Sequence, residues 1–144
     1  MIVLFIDQGI KAFVINSMYK SSLTIIKGIL NFTYVENTGG AYGIGSNNTI
    51  IFILTNIIVL GVLIIYALLK RDKLDKKIII AIALIISGGI GNLIDRIFRG
   101  FVVDYIDFNP LIKFPVFNVA DIAVVLGCII IGICIIIEMI KKDD

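Results

Sequence analysis

Histidine is absent from this chain. That removes Ser-His and Cys-His nucleophile pairs, and zinc sites of the HExxH type, from the chemistry the sequence can host. Tryptophan is absent as well. Charge is scarce: 17% of the 144 residues are charged, where soluble domains run near about a quarter. The two cysteines, Cys128 and Cys134, cannot form a CxxC site. On a helix their spacing gives about 9 Å of rise, too far for a disulfide, so they read as small apolar fillers. Net charge is only +2, without the concentrated basic patch of a nucleic-acid binder, and no nucleic-acid partner is expected. What the chain has in abundance is apolar surface. Hydrophobic residues make up 59%, and mean hydropathy is +1.06. One core of this size cannot hide so much, so the bilayer is the natural solvent.

The expected fold is an all-α membrane protein: four transmembrane helices with a small extracytoplasmic β-like cradle, in a single domain over 1–144. A span takes about 20 residues. The candidates are 1–18, 50–69, 78–94 and 119–137. Ile50 to Leu69 carries no charge at all. The first segment is the least apolar, because it contains Asp7 and Lys11, which share a helix face at i,i+4 and can pair. A cleavable signal peptide is the rival reading there. It is opposed by those charges and by the lack of an A-x-A-like site. Five basic residues crowd the short loop from Lys70 to Lys77, and Lys141 and Lys142 follow the last span. The positive-inside rule puts this side, with both termini, in the cytoplasm. Segments 19–49 and 95–118 then face outward. In the first of them Leu30, Phe32 and Tyr34 alternate with Asn31, Thr33 and Val35, a strand period. Leu23-Thr24-Ile25-Ile26 ends at a turn-like Lys27-Gly28, so a hairpin on the membrane surface is expected.

Ionisable groups in or beside a membrane segment are functional candidates by default. Asp7, Asp95, Asp104, Asp107 and Asp121 all fall at the outer boundary. Asp104 and Asp121 can meet where the third and fourth segments come together. Two carboxylates in contact at low dielectric share a proton. Such a pair can hold a water, one taking its proton as it attacks a peptide carbonyl while the other protonates the carbonyl oxygen. Each position also has a structural reading. Asp95-Arg96 can be an interfacial ion pair, Asp121 an N-terminal helix acid, and Asp107 a solvated carboxylate. Asn92 and Asn118 can satisfy helix ends. Gly88, Gly89 and Gly91 fit close helix packing better than ligand contact. Asn37-Thr38-Gly39-Gly40 fits a turn.

The joint pattern is more specific than any one position. Asp7-Gln8-Gly9-Ile10-Lys11 is similar to a DQxxK motif, and Val35-Glu36-Asn37-Thr38-Gly39-Gly40-Ala41-Tyr42-Gly43 to a VxNxGAAF-type segment. Gly91-Asn92-Leu93-Ile94-Asp95-Arg96 matches GNxxDR, Gly100 to Asp107 matches GxVVDFID, and Phe117-Asn118-Val119-Ala120-Asp121 matches FNxAD. In this order, across almost the whole chain, they resemble the lipoprotein signal peptidases (signal peptidase II), a family of bacterial membrane aspartyl peptidases. The resemblance implies substrates that are prolipoproteins carrying a diacylglyceryl group on cysteine, cut just before that cysteine. It implies Asp104 and Asp121 as the catalytic dyad. Asn92, Asp95, Arg96 and Asn118 then support the dyad or contact substrate, and Asp7, Lys11, Asn37 and Gly40 match further functional positions. No metal or organic cofactor is implied. Membrane lipids and a cyclic peptide inhibitor of the globomycin type are the other implied partners, and a monomer is expected.

The chain departs from the family in two places. Six residues precede Asp7, so the first helix is expected to be short, tilted or begun at a misassigned start. Gly40 and Tyr42 stand where Ala and Phe are common. Two other functions fit parts of the pattern. A Ser-Lys peptidase built on Ser87 lacks a lysine in the outer half of a span other than Lys11. A small four-helix transporter or channel subunit would use Asp7, Asp104 and Asp121 as ion sites, but does not explain why polar residues gather at one boundary.

Overall fold

The structure, a computed structural model, describes residues 2–40, 42 and 44–143; Ala41 and Gly43 of the Val35–Gly43 motif, with both chain ends, lie outside them. In chain order the elements are helix α1 (Ile2–Met18), strands β1 (Ser22–Ile26) and β2 (Leu30–Asn37), helix α2 (Thr49–Leu69), helix α3 (Lys76–Arg99), strand β3 (Val102–Asp107) and helix α4 (Val119–Asp143). A short 3-10 turn, Arg71–Lys73, joins α2 to α3. Among the described residues, three helices are long and apolar enough to cross a membrane: α2, α3 and α4 up to Lys142. On α2 only Leu60 is buried. Ile50, Leu54, Ile58 and Ile65 of α2 and Val125, Ile129, Ile133 and Ile136 of α4 lie open on the outside, as hydrocarbon solvent requires. Helix α1 has 17 residues and buries Asp7, Lys11, Val14 and Met18 on one face.

Helix α3 is the hub, and its glycines explain why. A Cβ on Gly88 would stand 2.3 Å from the Ala120 carbonyl oxygen of α4. On Gly89 it would meet Leu60 of α2 at 2.8 Å, and on Gly91 the Asp7 carboxylate of α1 at 2.7 Å. One short glycine run thus lets three helices approach three sides of α3. From α4, Gly127 returns the contact against Ala81 and Ile85. Helix α3 starts where the Asp75 side chain accepts from the Lys77 amide. It runs past the expected end at Ile94 to Arg99, and Gly100 closes it in the left-handed region (φ 83°). Gly88→Ala and Gly127→Ala are each expected to cost about 1–3 kcal/mol by overpacking. Gly61→Ala and Gly132→Ala, with open space around both glycines, are expected to be neutral. Thermal unfolding in detergent compares the four.

The outer cradle is a three-stranded antiparallel sheet in the order β1-β2-β3. The strand over 30–35 and the Gly28 turn (φ 76°) that makes the hairpin occur as read from the sequence. Strand β3 was not expected, and with it the all-α description gives way to helices plus a sheet. Val102, Val103, Asp104 and Tyr105 are all buried, so the strand lacks the polar-apolar alternation that reveals a one-sided strand. Its register pairs Asp104 with Val35 and Val102 with Asn37. A small core of Val14, Met18, Val103 and Tyr105, with Phe32 edge-on to Tyr105 at 5.6 Å, glues the sheet to α1. Asp107 is not solvated as expected. It is largely buried, with Thr33 Oγ1 donating to it at 2.9 Å and the Asn109 amide at 2.9 Å. Neither cysteine fills a packed core: Cys128 is exposed and Cys134 half-buried.

Candidate active site

The sequence Phe117-Asn118-Val119-Ala120-Asp121 forms a capping box. Asn118 Oδ1 accepts from the Asp121 amide at 2.9 Å, and Asp121 Oδ2 accepts from the Asn118 amide at 3.1 Å. Two of the unpaired donors that open α4 are satisfied reciprocally. A third, the Ala120 amide, donates to Asp7 Oδ1 at 3.0 Å, which docks α1 onto the positive end of α4. Asp121 is therefore fixed at the helix entrance, as a helix acid and as a site residue together.

Asn118 is fully buried and serves both acids. Its Nδ2 donates to Asp104 Oδ1 at 2.7 Å and to Asn92 Oδ1 at 3.2 Å. Asn92 Nδ2 donates to Asp121 Oδ1 at 2.7 Å. Asn37 Nδ2 reaches Asp104 Oδ2 at 2.9 Å, while its Oδ1 accepts from the Gly39 amide at 2.9 Å, the expected turn. All four oxygens of Asp104 and Asp121 thus receive a donor, and the two acids are linked through the amides of Asn92 and Asn118. Burial pushes the Asp104 carboxyl up to about 7, with the charge of Asp121 adding to it and the Asn37 and Asn118 bonds opposing.

Behind this layer lies an ion cluster whose Asp7, Lys11 and Asp95 side chains have no solvent contact. Lys11 Nζ touches Asp7 Oδ2 at 2.9 Å, Asp95 Oδ2 at 2.8 Å and Asn92 Oδ1 at 2.9 Å, so its three donors have three acceptors. Asp95 also pairs with Arg99 and accepts from the Val103 amide at 3.2 Å. The expected Asp95-Arg96 pair is not formed. Arg96 instead donates to the Gly39 carbonyl at 2.9 Å and lies over the Phe52 ring at 5.3 Å. Adjacent helical residues point about 100° apart and do not face one another. The buried Arg96 Nε has no hydrogen-bond partner among the described residues.

A cavity of about 600 Å³ opens onto this arrangement. Asn37, Gly40, Asn92, Arg96, Asp104 and Asp121 line it, whereas Asp7, Lys11, Asp95 and Asn118 stand behind the wall. The remainder of the lining is mostly apolar and includes Phe114, Val124, Val125 and Leu126. Among the described residues no group of three or more acidic or cysteine side chains is arranged to hold a metal ion. Sequence reasoning missed four contributors. Gln8 donates to the Gly91 carbonyl at 3.1 Å and to Asp95 at 3.3 Å, and it sat unused within the first motif. Arg99 is i+4 from Asp95, a detectable spacing. Asn56, in the cavity wall, donates to the Gly89 carbonyl at 3.0 Å, and a polar residue in a charge-free span was its signal. Phe52 carried no signal.

Apolar helices around a carboxylate-lined cavity define a membrane enzyme, and known proteins narrow that class. Two solved bacterial membrane enzymes share the fold. One has a TM-score of 0.88 at 35% identity, covering 98% of this chain and 87% of that one; the other has 0.82 at 36%, covering 93% and 87%. The family model described as Signal peptidase (SPase) II matches residues 1–137. This chain belongs to the signal peptidase II family of peptidases. It is 40% identical over 141 residues to the lipoprotein signal peptidase of Clostridium acetobutylicum, covering 96% of this chain and 91% of the relative. To that of Halothermothrix orenii it is 42% identical over 128 residues, covering 88% and 85%.

Proposed function

We propose that this chain is an aspartyl endopeptidase that removes the signal peptide from prolipoproteins, cutting just before a diacylglyceryl-modified cysteine. The observation that carries the reading is the pair Asp104 and Asp121, borne by β3 and α4, lining one cavity and joined through Asn92 and Asn118. A water held between the carboxylates attacks the scissile carbonyl carbon. Asp121 takes the water's proton, and Asp104, whose raised carboxyl keeps a proton near neutrality, gives its own to the carbonyl oxygen. The tetrahedral diol then collapses. Asp121 passes its proton to the leaving nitrogen, the C–N bond breaks, and a hydroxyl proton returns to Asp104, restoring the starting state. The unpartnered Nε–H of Arg96 in the cavity wall is a donor for a substrate carbonyl. The apolar cavity wall at Val125 and Leu126 is more than 45% exposed on the outside of α4, a route by which acyl chains enter from the bilayer.

Helix α1 acts as a fourth span in this reading, with its two charges buried against α3 and α4 rather than facing lipid. Lys70 to Lys77 and the lysines ending α4 mark the cytoplasmic side, which puts both termini there and the sheet with the carboxylates at the outer face. The exposed apolar residues Leu23, Ile25 and Ile26 of β1 suit a strand lying on lipid. The transporter reading loses support because the buried polar residues converge on one end instead of lining a path.

Detergent-purified protein is expected to convert a lipidated prolipoprotein to a faster-migrating product on a gel. A substrate whose cysteine is unmodified loses the acyl contacts and is expected to be cut about tenfold more slowly or worse, since each buried CH₂ contributes about 0.8 kcal/mol. Equal turnover of the two substrates would remove the lipid from the mechanism.

A further inference from the structure

The opposite end of the helix bundle holds a second cavity, of about 670 Å³, where the end of α2, the start of α3 and the end of α4 converge. Its deep wall is apolar and includes Leu63, Ile78, Ile82 and Ile131. Its rim carries Lys73, Lys77 and Lys141 from three different elements. Among the described residues none of these lysines is in an ion pair. The two acids on the same rim are otherwise engaged: Asp75 caps α3 through the Lys77 amide, and Glu138 is paired with Lys142 at 3.3 Å. An apolar cleft within the span of the membrane helices, closed by unpaired ammonium groups at the boundary, complements a molecule with an anionic head and hydrocarbon tails. We propose that this cleft is a binding site for an anionic phospholipid, its head among Lys73, Lys77 and Lys141 and its acyl chains against the wall between α2, α3 and α4.

The site is remote from the carboxylates, so it is independent of the peptidase reading and is tested without substrate. The chain has no tryptophan, so Tyr66→Trp places a single indole, excited apart from the tyrosines, in the cleft wall. Met139→Trp places one on exposed α4 surface near the same boundary, outside the cleft. Each variant is reconstituted in phosphatidylcholine vesicles containing a small fraction of brominated phosphatidylglycerol or brominated phosphatidylcholine. At Tyr66→Trp the anionic lipid is expected to be preferred by about fivefold or more, the factor one interfacial lysine supplies. At Met139→Trp the preference is expected to be less than about twofold, the general enrichment of anionic lipid near basic residues. Adding Lys73→Gln, Lys77→Gln and Lys141→Gln to Tyr66→Trp is expected to abolish the preference while the thermal unfolding transition in detergent is retained. Should that variant fail to insert, Ile131→Phe, which narrows the cleft and leaves the charge alone, is expected to do the same. Equal quenching by both lipids, an equal preference at both reporter positions, or a preference that survives the lysine or cleft substitutions overturns the proposal. So does relief of quenching by inorganic phosphate at constant ionic strength, which would assign the lysines to a soluble anion.

Discussion

Asp104→Asn and Asp121→Asn are each expected to lower kcat on a lipidated prolipoprotein by about 10³-fold, the scale of a lost general acid or base. Either change leaves a side chain of nearly the same shape but without a titratable group, so the proton can no longer cycle. The two losses are expected not to add, since the carboxylates act as one unit. The fold is expected to survive, because the Asn118 cap of α4 and the β2-β3 ladder need neither charge. Thermal unfolding separates a dead site from an unfolded chain. Retained cleavage in either variant would refute the dyad. The wild type supplies a second readout. The Asp104 carboxyl is pushed up to about 7 by burial and by the neighbouring Asp121 charge. Below that pH Asp104 holds its proton and can donate; above it the proton is lost. The upper limb of the kcat/KM profile is therefore expected to fall above about pH 7, by about tenfold per pH unit. A profile flat to pH 9 would separate Asp104 from the proton transfer.

How far the sequence disclosed this site depended on whether its physics is local. The Asn118–Asp121 box spans four residues, and the Asp7–Lys11 pair is one helical turn, so both could be read from spacing. The charge-free runs of α2 and α4 were legible for the same reason. The sheet was half legible. Strand β2 alternates in sequence, with Phe32 and Tyr34 packed on the small core, whereas β3 is buried along nearly its whole length and its two aspartates break any apolar period. The partner of Asp95 was assigned wrongly because sequence adjacency suggested Arg96, while helical geometry selects Arg99 and, through tertiary contact, Lys11. Contacts between segments more than 80 residues apart, such as Lys11 with Asn92 or Gln8 with Asp95, follow from packing around the glycines of α3. Periodicity carries no trace of them.

The same buried cluster gives the second large effect. Lys11 touches neither Asp104 nor Asp121, yet it determines what faces them. An ammonium group only donates, so the Asn92 side chain must turn its oxygen toward Lys11 and its Nδ2 toward Asp121. That oxygen in turn requires a donor from Asn118, which fixes the Asn118 Nδ2 toward Asp104 and leaves its oxygen to cap α4. A flipped Asn92 would set an amide oxygen against the Asp121 carboxylate. Lys11→Met is expected to lower kcat by about 10²-fold, the cost of misplaced catalytic groups, with KM little changed because Lys11 does not line the cavity. The substitution also leaves Asp7 and Asp95 buried without their shared cation, at a cost of about 3–5 kcal/mol, so low activity alone could report unfolding. Lys11→Met with Asp7→Asn removes one charge of each sign. The new amide oxygen can still accept from Ala120, and Asp95 keeps Arg99, Gln8 and the Val103 amide. This double variant is expected to recover most of the wild-type melting temperature while kcat stays low, and its pH profile is expected to shift, since the donors around the carboxylates are no longer ordered. Recovery of kcat together with stability would reduce Lys11 to a structural ion and remove orientation of the asparagines from its role.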